Sequence, residues 1–207
     1  LGVGAQGIGV AEAAYQHALA YAQDRKQGKT PLGDGTIIDH ADVRRMLAVM
    51  KAETFAARAI ALDCGLAIDM GKATGKESWK ARAALLTPIA KAHGTDIGCE
   101  VNSMGVQIHG GMGFIEETGA AQYFRDARIT PIYEGTNGIQ AMDMVARKMM
   151  DGGEMANALI DEVEATAEAA GASLPDMGNA LWESAETLRE ATEWMVAQGD
   201  LNDRFAG

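Results

Sequence analysis

One stretch near the middle of the chain governs the interpretation of the rest, and it reads Pro131-Ile132-Tyr133-Glu134-Gly135-Thr136-Asn137-Gly138-Ile139-Gln140. It places the carboxylate of Glu134 where a turn gives way to a helix, which Thr136 or Asn137 can cap. Gly135 has no Cβ, so a bulky ligand can approach the backbone closely there. A carboxylate at the end of an element can face a cleft and act as a general base, whereas a solvated turn residue is the plainer alternative.

Outward from this stretch, the chain is patterned for helices. Aromatic residues make up only 5% of the sequence, while alanine and methionine are abundant, and that mixture favours helix over sheet. Apolar residues recur at helical spacing over residues 3–26, 40–72, 77–108 and 137–150, with a short helix at 119–127. No useful length alternates with a period of two. We therefore predict an all-α fold, a four-helix up-and-down bundle with additional C-terminal helices.

Several signals bound these helices. The loop at 28–38 contains Pro31 and three glycines, and Asp39 is expected to cap the second helix. Thr87-Pro88 leaves two possibilities open: a cap followed by proline at the first position of a new helix, or a kink in a continuing one. The second helix carries an apolar stripe of Val43, Met46, Leu47, Met50, Ala57, Ala61 and Cys64.

The net charge of −11 is confined to the end of the chain. Residues 1–150 hold 16 acids and 16 bases, whereas residues 151–207 hold 13 acids and two bases, Arg189 and Arg204, so that 2 − 13 = −11. Asp151-Gly152-Gly153 reads as a linker between these parts. We predict a bundle domain at 1–150 and an acidic helical extension at 151–207, and we expect the extension to be truncated.

The extension is expected to contain two helices, at 154–170 and 177–198. The second has Leu181, Leu188 and Met195 seven residues apart, with Ala185 and Thr192 between them, which predicts a narrow packing seam under a strongly acidic face.

Composition also argues against several classes of protein. No basic patch is present, so we expect no nucleic-acid partner. Cys64 and Cys99 lie in helical patterns without metal-ligand spacing, which favours buried reduced thiols, no metal site and a cytoplasmic protein. No apolar run approaches the roughly 20 residues that a membrane span requires.

The beginning of the chain carries a misleading motif. Gly2-Val3-Gly4-Ala5-Gln6-Gly7 matches the glycine pattern of dinucleotide-binding sites. That pattern acts only between a strand and a helix within a βαβ unit, and no strand pattern surrounds it here. We therefore expect the start of a helix whose small residues pack against a neighbour.

Three blocks carry a family resemblance. They are Ile132-Tyr133-Glu134-Gly135-Thr136 with Ile139-Gln140 behind it, Gln107-Ile108-His109-Gly110-Gly111-Met112-Gly113-Phe114, and Arg125-Asp126-Ala127-Arg128-Ile129. In this order, over residues 1–150, the chain resembles the acyl-CoA dehydrogenases. The acidic tail, combined with Thr87-Pro88-Ile89-Ala90-Lys91 and Tyr133-Glu134-Gly135-Thr136-Asn137-Gly138-Ile139-Gln140-Ala141, resembles the bacterial subgroup that includes 3-methylmercaptopropionyl-CoA dehydrogenases.

The resemblance implies an oxidoreductase of fatty acid metabolism that dehydrogenates an acyl-CoA thioester between its α and β carbons. Glu134 would be the catalytic base that takes the α-proton, the flavin of FAD would take the β-hydride, and Gly135 would let the substrate thioester lie close. The residues implied in binding FAD are Arg25, Gln107, Gly110, Gly111, Thr136 and Asn137.

Partners follow from the same resemblance. Arg25 and Gln107 would serve the FAD of a neighbouring subunit, which implies a homodimer or homotetramer, and an electron-transfer flavoprotein or similar acceptor would receive the electrons. The family's N-terminal and β-domains have no counterpart in this stretch, so we expect the chain on its own to lack FAD and activity. The alternatives are an acyl-CoA oxidase and a helical assembly module without catalysis.

The chain departs from the family pattern at one predicted contact. Arg25-Lys26-Gln27-Gly28 lacks the phenylalanine that usually precedes the glycine and is one residue shorter, which puts the contact with the adenine end of FAD in question.

Overall fold

The fold is helical throughout the part that the computed structural model describes, residues 1–30 and 33–206, so the predicted loop-breaker Pro31 lies outside the described residues. Within those ranges an isolated antiparallel bridge joins Lys26 to Thr36, and no strand forms. None of the described helices has both the length and the apolar character needed to cross a bilayer. The helices are α1 (Gly2–Asp24), α2 (Ala41–Thr74), α3 (Glu77–His109), α4 (Gly111–Phe114), α5 (Ala120–Arg128), α6 (Asn137–Asp143), α7 (Glu154–Gly171), α8 (Pro175–Ala197) and α9 (Leu201–Ala206).

The bundle is built around α3, which packs along both α1 and α2, while the shorter α5 lies against α1 and α3. Its core combines small residues of α1 with the predicted stripe of α2, as the helical spacing indicated. Met50, Val101 and Cys64 are among the largest fully buried side chains. The main core cluster consists of Ile8, Ala11, Ala18, Ala22, Ile37, Met46, Leu47, Met50, Ala57, Ile97, Val101 and Ile108.

Small residues let α1 and α3 approach closely. A Cβ added to Gly4 would collide with the carbonyl oxygen of Ala90, and one added to Gly7 would collide with that of Gly94. Gly98 of α3 faces the same crossing with slightly more room, since its added Cβ would lie 3.0 Å from the Cα of Gly7. The glycines at the start of the chain are therefore packing residues, as we expected from the absence of a surrounding βαβ unit.

Helix boundaries differ from the predictions at three places. Pro88 lies inside a continuous α3, so the kink alternative is the right one, and the hydroxyl of Thr87 donates to the carbonyl of Ala83 at 2.6 Å instead of capping a helix. Asp39 does not cap α2, because it belongs to a turn of 3-10 helix at Ile37–Asp39 and His40 precedes the first residue of α2. The helix predicted for 137–150 is α6 followed by a π-helical turn at Met144–Lys148.

Two arginines organise the acidic extension. Arg82 of α3 forms a two-pronged ion pair with Asp63 of α2, with Nη2–Oδ2 at 2.8 Å, and its Nη1 reaches Glu162 of α7 at 2.7 Å. The hydrogen bonds that Arg82 donates to Asp63 and then to Glu162 raise the pKa of Arg82. Arg189 of α8 pairs with Glu164 of α7 at 2.6 Å. Each arginine thus joins helices that would otherwise present mainly carboxylates to each other.

The contact between α7 and α8 uses the smaller residues of the predicted seam, Ala185 and Thr192, together with Gly178. Gly178, Ala185 and Thr192 form the buried face of α8, whereas Leu181 and Leu188 are exposed. A Cβ on Gly178 would lie 2.7 Å from the Cα of Gly171. The two helices therefore approach too closely for leucine side chains to enter the seam.

Candidate active site

The turn that carries Glu134 has an uncommon backbone. Among the described residues, Glu134 is the one non-glycine residue with positive φ, at 54°, and Gly135 follows with φ 84°. A side chain in the left-handed region costs on the order of 1 kcal/mol, and such residues cluster at functional sites. A Cβ at position 135 would lie 3.1 Å from Nε2 of Gln140. The backbone angle therefore favours glycine at 135, and a larger residue would also displace the Gln140 amide.

Hydrogen bonds hold this turn at both ends. The hydroxyl of Tyr133 donates to Oε1 of Gln6 on α1. The backbone N–H of Asn137 donates to the carbonyl of Pro131 at 3.0 Å, which closes the loop across Glu134. Thr136 caps α6, since its Oγ1 accepts from the N–H of Ile139 at 3.3 Å. Of the two candidates for this cap, Thr136 is the one that the structure supports.

Glu134 stands at the rim of a cleft of about 500 Å³. The carboxylate itself is exposed. The cleft is formed where the first turns of α1 meet the middle of α3 and the loop before α6, and it is lined by Leu1, Gly2, Val3, Gln6, Thr87, Lys91, Tyr133, Glu134 and Gln140. Its lining is mixed, with apolar residues from α1 and amide and charged groups from the other elements.

Asn137 attaches the turn to α3 through its side-chain amide. Its Oδ1 accepts from Nζ of Lys91 at 2.7 Å, and its Nδ2 donates to Oδ1 of Asp96 at 2.7 Å and to Oγ1 of Thr95 at 2.9 Å. Lys91 is only 5% exposed. Burial lowers the pKa of Lys91, and the nearby carboxylate of Asp96 partly offsets this. Both ends of the Asn137 amide are therefore engaged within the chain.

A second cluster lies at the other end of α1. Arg25, Gly110 and Gly111 line a cleft of about 450 Å³ together with Tyr21 and His109. Arg25 is exposed. An added Cβ at Gly110 or Gly111 would meet nothing within 4 Å, so this backbone is open to a ligand. An exposed guanidinium beside backbone that carries no Cβ fits a phosphate or ribose, as FAD would require.

Two of the predicted residues stand slightly apart from these clefts. Gln107 is exposed and lies one turn before Gly110. The N–H of Gly110 donates to the carbonyl of Gln107 at 3.0 Å, but Gln107 is not among the residues that line the Arg25 cleft. Thr136 faces a larger apolar cavity of about 790 Å³, between α6 and the α8–α9 end of the extension, whose lining includes Trp194 and Phe205.

His109 is a structural part of the Arg25 cleft. It is buried, its Nδ1–H donates to the carbonyl of Gly105 at 2.7 Å, and its ring packs against Tyr21 and His17 at centroid distances of 4.3 and 4.6 Å. Burial lowers the pKa of His109, the hydrogen bond to Gly105 raises it, and the proximity of His17 lowers it further. Among the residues that the structure describes, no three His, Cys, Asp or Glu side chains form a metal-binding group.

The two clusters are separated by the length of α1. Gln6 touches the Glu134 turn, and Arg25 follows the last residue of α1. The 19 residues from Gln6 to Arg25, at a helical rise of 1.5 Å each, place the two clusters about 28 Å apart. The structure therefore brings together Glu134, Gly135, Thr136 and Asn137 at one end, and Arg25, Gly110 and Gly111 at the other.

Sequence reasoning did not assign roles to Gln6, Lys91 or Tyr21. Lys91 stood in a quoted motif, but a lysine in a helical segment usually faces solvent, so nothing in the pattern marked it as buried.

Comparison with known proteins gives this arrangement a context. The family model described as acyl-CoA dehydrogenase, C-terminal domain, matches residues 1–150. A 3-methylmercaptopropionyl-CoA dehydrogenase of Ruegeria pomeroyi is 43% identical over 99% of this chain, which covers 37% of that protein. This similarity confirms the predicted resemblance to the subgroup and extends through the acidic extension.

Solved structures of acyl-CoA dehydrogenases also match this chain in fold. Butyryl-CoA dehydrogenase from Megasphaera elsdenii matches with a TM-score of 0.59 and 35% identity over 70% of this chain and 34% of its own. Caenorhabditis elegans ACDH-11, solved in complex with C11-CoA, matches in fold over 98% of this chain and 41% of its own, with a TM-score of 0.67 at 18% identity. The chain thus spans little more than a third of the length of these relatives, and it belongs to the acyl-CoA dehydrogenase family, whose C-terminal helical domain it contains.

Proposed function

We propose that this chain is the C-terminal part of an FAD-dependent acyl-CoA dehydrogenase in which Glu134 is the general base. The observation that carries the proposal is the turn itself: Glu134 adopts a left-handed conformation at the rim of a cleft, and contacts with α1 and α3 hold that turn in place. A fixed carboxylate at a cleft meets the geometric requirement for a base, and backbone strain at such a position is typical of functional sites.

Each residue of the turn has a separate role in the proposed reaction. The carboxylate of Glu134 takes the proton from the α-carbon of the acyl thioester. The backbone N–H of Glu134 donates to the thioester oxygen, where negative charge develops as the proton leaves. Gly135 keeps the space beside the turn clear, so that the thioester can lie against the backbone.

FAD, when bound, would supply the acceptor for the hydride from the β-carbon. Arg25 would pair with its pyrophosphate, and Gln107, Gly110 and Gly111 would contact its adenosine side. Thr136 would contact the flavin part from the start of α6. Asn137 would lie beside the same part of the cofactor, with its side-chain amide bonded to α3 and its backbone N–H bonded to the carbonyl of Pro131.

Assembly follows from the separation of the two clusters. With about 28 Å of α1 between them, a compact site that uses both Glu134 and Arg25 draws one of them from a second copy of the chain. This supports a homodimer or homotetramer. We infer further that the chain on its own does not retain FAD, because the covering parts of the longer relatives are needed to bury the flavin ring.

We also place the protein in the cytoplasm, with an electron-transfer flavoprotein or a similar acceptor as its redox partner. The two cysteines support the compartment, since Cys64 is buried and Cys99 half-buried, and both are reduced thiols.

The proposed base is tested by Glu134→Gln in the full-length protein that contains this chain. The variant should retain FAD and lose about 10²- to 10⁴-fold in the rate of flavin reduction by acyl-CoA, the usual effect of removing a general base. Glu183→Gln, at an exposed carboxylate of α8, is the matched control and should reduce at the wild-type rate. Flavin reduction within about twofold of wild type in Glu134→Gln would refute the assignment and favour an assembly role for the bundle.

A further inference from the structure

Lys91 is a charged residue in an unusual position, since it is 95% shielded from solvent in the middle of α3. Lysine is almost never fully buried unless it has a partner, because removing an ammonium group from water is unfavourable. Its Nζ donates to Oδ1 of Asn137 at 2.7 Å, and the carboxylate of Asp96 adds a favourable charge nearby. A buried lysine whose hydrogen bond leads directly to the candidate active-site turn requires an explanation.

The hydrogen bond fixes the orientation of the Asn137 amide. Lys91 can only donate, so it holds the carbonyl oxygen of the amide towards itself. The amide nitrogen is thereby directed to Oδ1 of Asp96 and Oγ1 of Thr95, at 2.7 and 2.9 Å. Thr95 is fully buried, and this part of α3 is locked against α1 by the close approach of Gly7 to Gly94. Asn137 is therefore anchored to the close crossing of α1 and α3.

The anchor bears on Glu134 because Asn137 closes its loop. The Asn137 N–H donates to the carbonyl of Pro131, and the residues between them include two successive positive φ angles, at Glu134 and Gly135. A loop in this conformation persists only when its surroundings over-determine it. The hydrogen bond from Tyr133 to Gln6 holds the loop just before Glu134, and the side-chain amide of Asn137 holds the loop just after Gly135 and Thr136.

We propose that Lys91 is a positioning residue for catalysis: through the Asn137 amide it sets the location of the Glu134 carboxylate. This inference depends on the proposed role of Glu134 as the base. Lys91 lines the same cleft as Glu134. Its effect is exerted on the protein backbone, so it should alter the chemical step and leave acyl-CoA binding nearly unchanged.

The test uses Lys91→Met and Asn137→Ala in the full-length, FAD-loaded protein. Methionine fills a similar volume without the charge or donor, so Lys91→Met should fold and retain FAD. Both variants should lose about 10- to 100-fold in the rate of flavin reduction at saturating acyl-CoA, the scale expected for a misplacement of about 1 Å, with KM for acyl-CoA within about twofold of wild type. Lys80→Met, at an exposed lysine of the same helix paired with Glu77 at 2.7 Å, should match wild type.

The double variant provides a readout that a general loss of stability would not give. If Lys91 acts through Asn137, the double variant should be no slower than the slower single variant, because the second change removes a contact already lost. The inference is overturned if Lys91→Met reduces its flavin within about twofold of Lys80→Met, if the two losses multiply, or if KM rises as kcat falls. If Lys91→Met does not fold, Asn137→Ala tests the inference by the same kcat and KM criteria. It removes the Lys91 contact from the loop side together with the contacts to Asp96 and Thr95, so an unchanged rate in this variant would overturn the inference.

Glu134→Gln separates the failure of this inference from failure of the proposed function. Normal flavin reduction in Glu134→Gln would refute the base, whatever Lys91 does. A large loss in Glu134→Gln with a normal Lys91→Met would refute only the positioning role. When Lys91→Met is added to Glu134→Gln, the residual rate should not fall further, because there is no longer a base to position.

Discussion

Replacement of Gly7 by alanine should destabilise the chain, although alanine is the better helix former. An added Cβ at position 7 would collide with the carbonyl oxygen of Gly94 and lie 2.9 Å from the Cα of Thr95. Both neighbours are backbone atoms of α3, so they cannot rotate away, and the two helices must separate. Overpacking of this kind costs about 1–3 kcal/mol.

Gly9→Ala is the matched control, because Gly9 lies on the same helix and an added Cβ there meets nothing within 4 Å. It should stabilise the chain by about 0.5–1 kcal/mol through the lower backbone entropy of alanine in the unfolded state. The same gain applies to Gly7→Ala, so the difference between the two variants isolates the packing term. We expect Gly7→Ala to unfold at least about 1 kcal/mol more easily than Gly9→Ala.

Urea unfolding of the 207-residue chain, followed by far-UV circular dichroism and tryptophan fluorescence, measures this difference. Coincident transitions from the two probes would justify a two-state treatment. A separation of 1 kcal/mol also corresponds to about 2–4 °C in Tm for a chain of this size. Equal stability of the two variants would show that α1 and α3 do not approach at Gly7 as described.

Three further predictions test other parts of the account. Arg25→Ala in the full-length protein should raise the FAD dissociation constant with little change in Tm, because Arg25 is exposed; an unchanged constant would remove it from the cofactor site. Burial lowers the pKa of His109 in the folded chain below the ordinary histidine pKa of about 6.5. The contribution of His109 to the free energy of unfolding is therefore complete above about pH 6.5, and it is lost as the pH falls from there towards the folded-state pKa. His109→Phe, which keeps a ring against Tyr21, should therefore show a shallower loss of unfolding free energy between about pH 7 and 5, and an unchanged slope would refute this. Arg82→Met should cost about 1–3 kcal/mol and loosen α7, because it leaves Asp63 and Glu162 without their shared cation; hydrogen exchange in α7 at the wild-type rate would argue against that link.

Much of the fold could be predicted because helical periodicity reports which residues are buried. The α2 stripe from Met46 to Cys64 and the packing role of Gly4 and Gly7 both followed from spacing and context. Periodicity does not report how closely two helices approach. It therefore placed Leu181 and Leu188 in the seam of α8 beside Ala185 and Thr192, whereas Gly178, Ala185 and Thr192 form its buried face. Nor could it decide whether Pro88 begins a helix or interrupts one.

The candidate site was predictable only where a local motif carried it. The motif marked Glu134, Gly135 and Thr136 because these residues are adjacent in sequence. Lys91 contributes through a hydrogen bond to Asn137, 46 residues further along the chain, and no spacing rule connects such a pair. The assignment of Asn137 to the cofactor is correspondingly refined, because its amide contacts α3.

The central claim is that Glu134 removes the α-proton, and isotope exchange tests it most directly. The full-length protein is incubated in deuterated water with an acyl-CoA analogue that has no hydrogen on its β-carbon, so that proton transfer is observed without the hydride step. We predict that wild type and Glu183→Gln incorporate deuterium at the α-carbon, and that Glu134→Gln does so about 10²- to 10⁴-fold more slowly. Exchange at the wild-type rate in Glu134→Gln, with the analogue bound, would contradict the account.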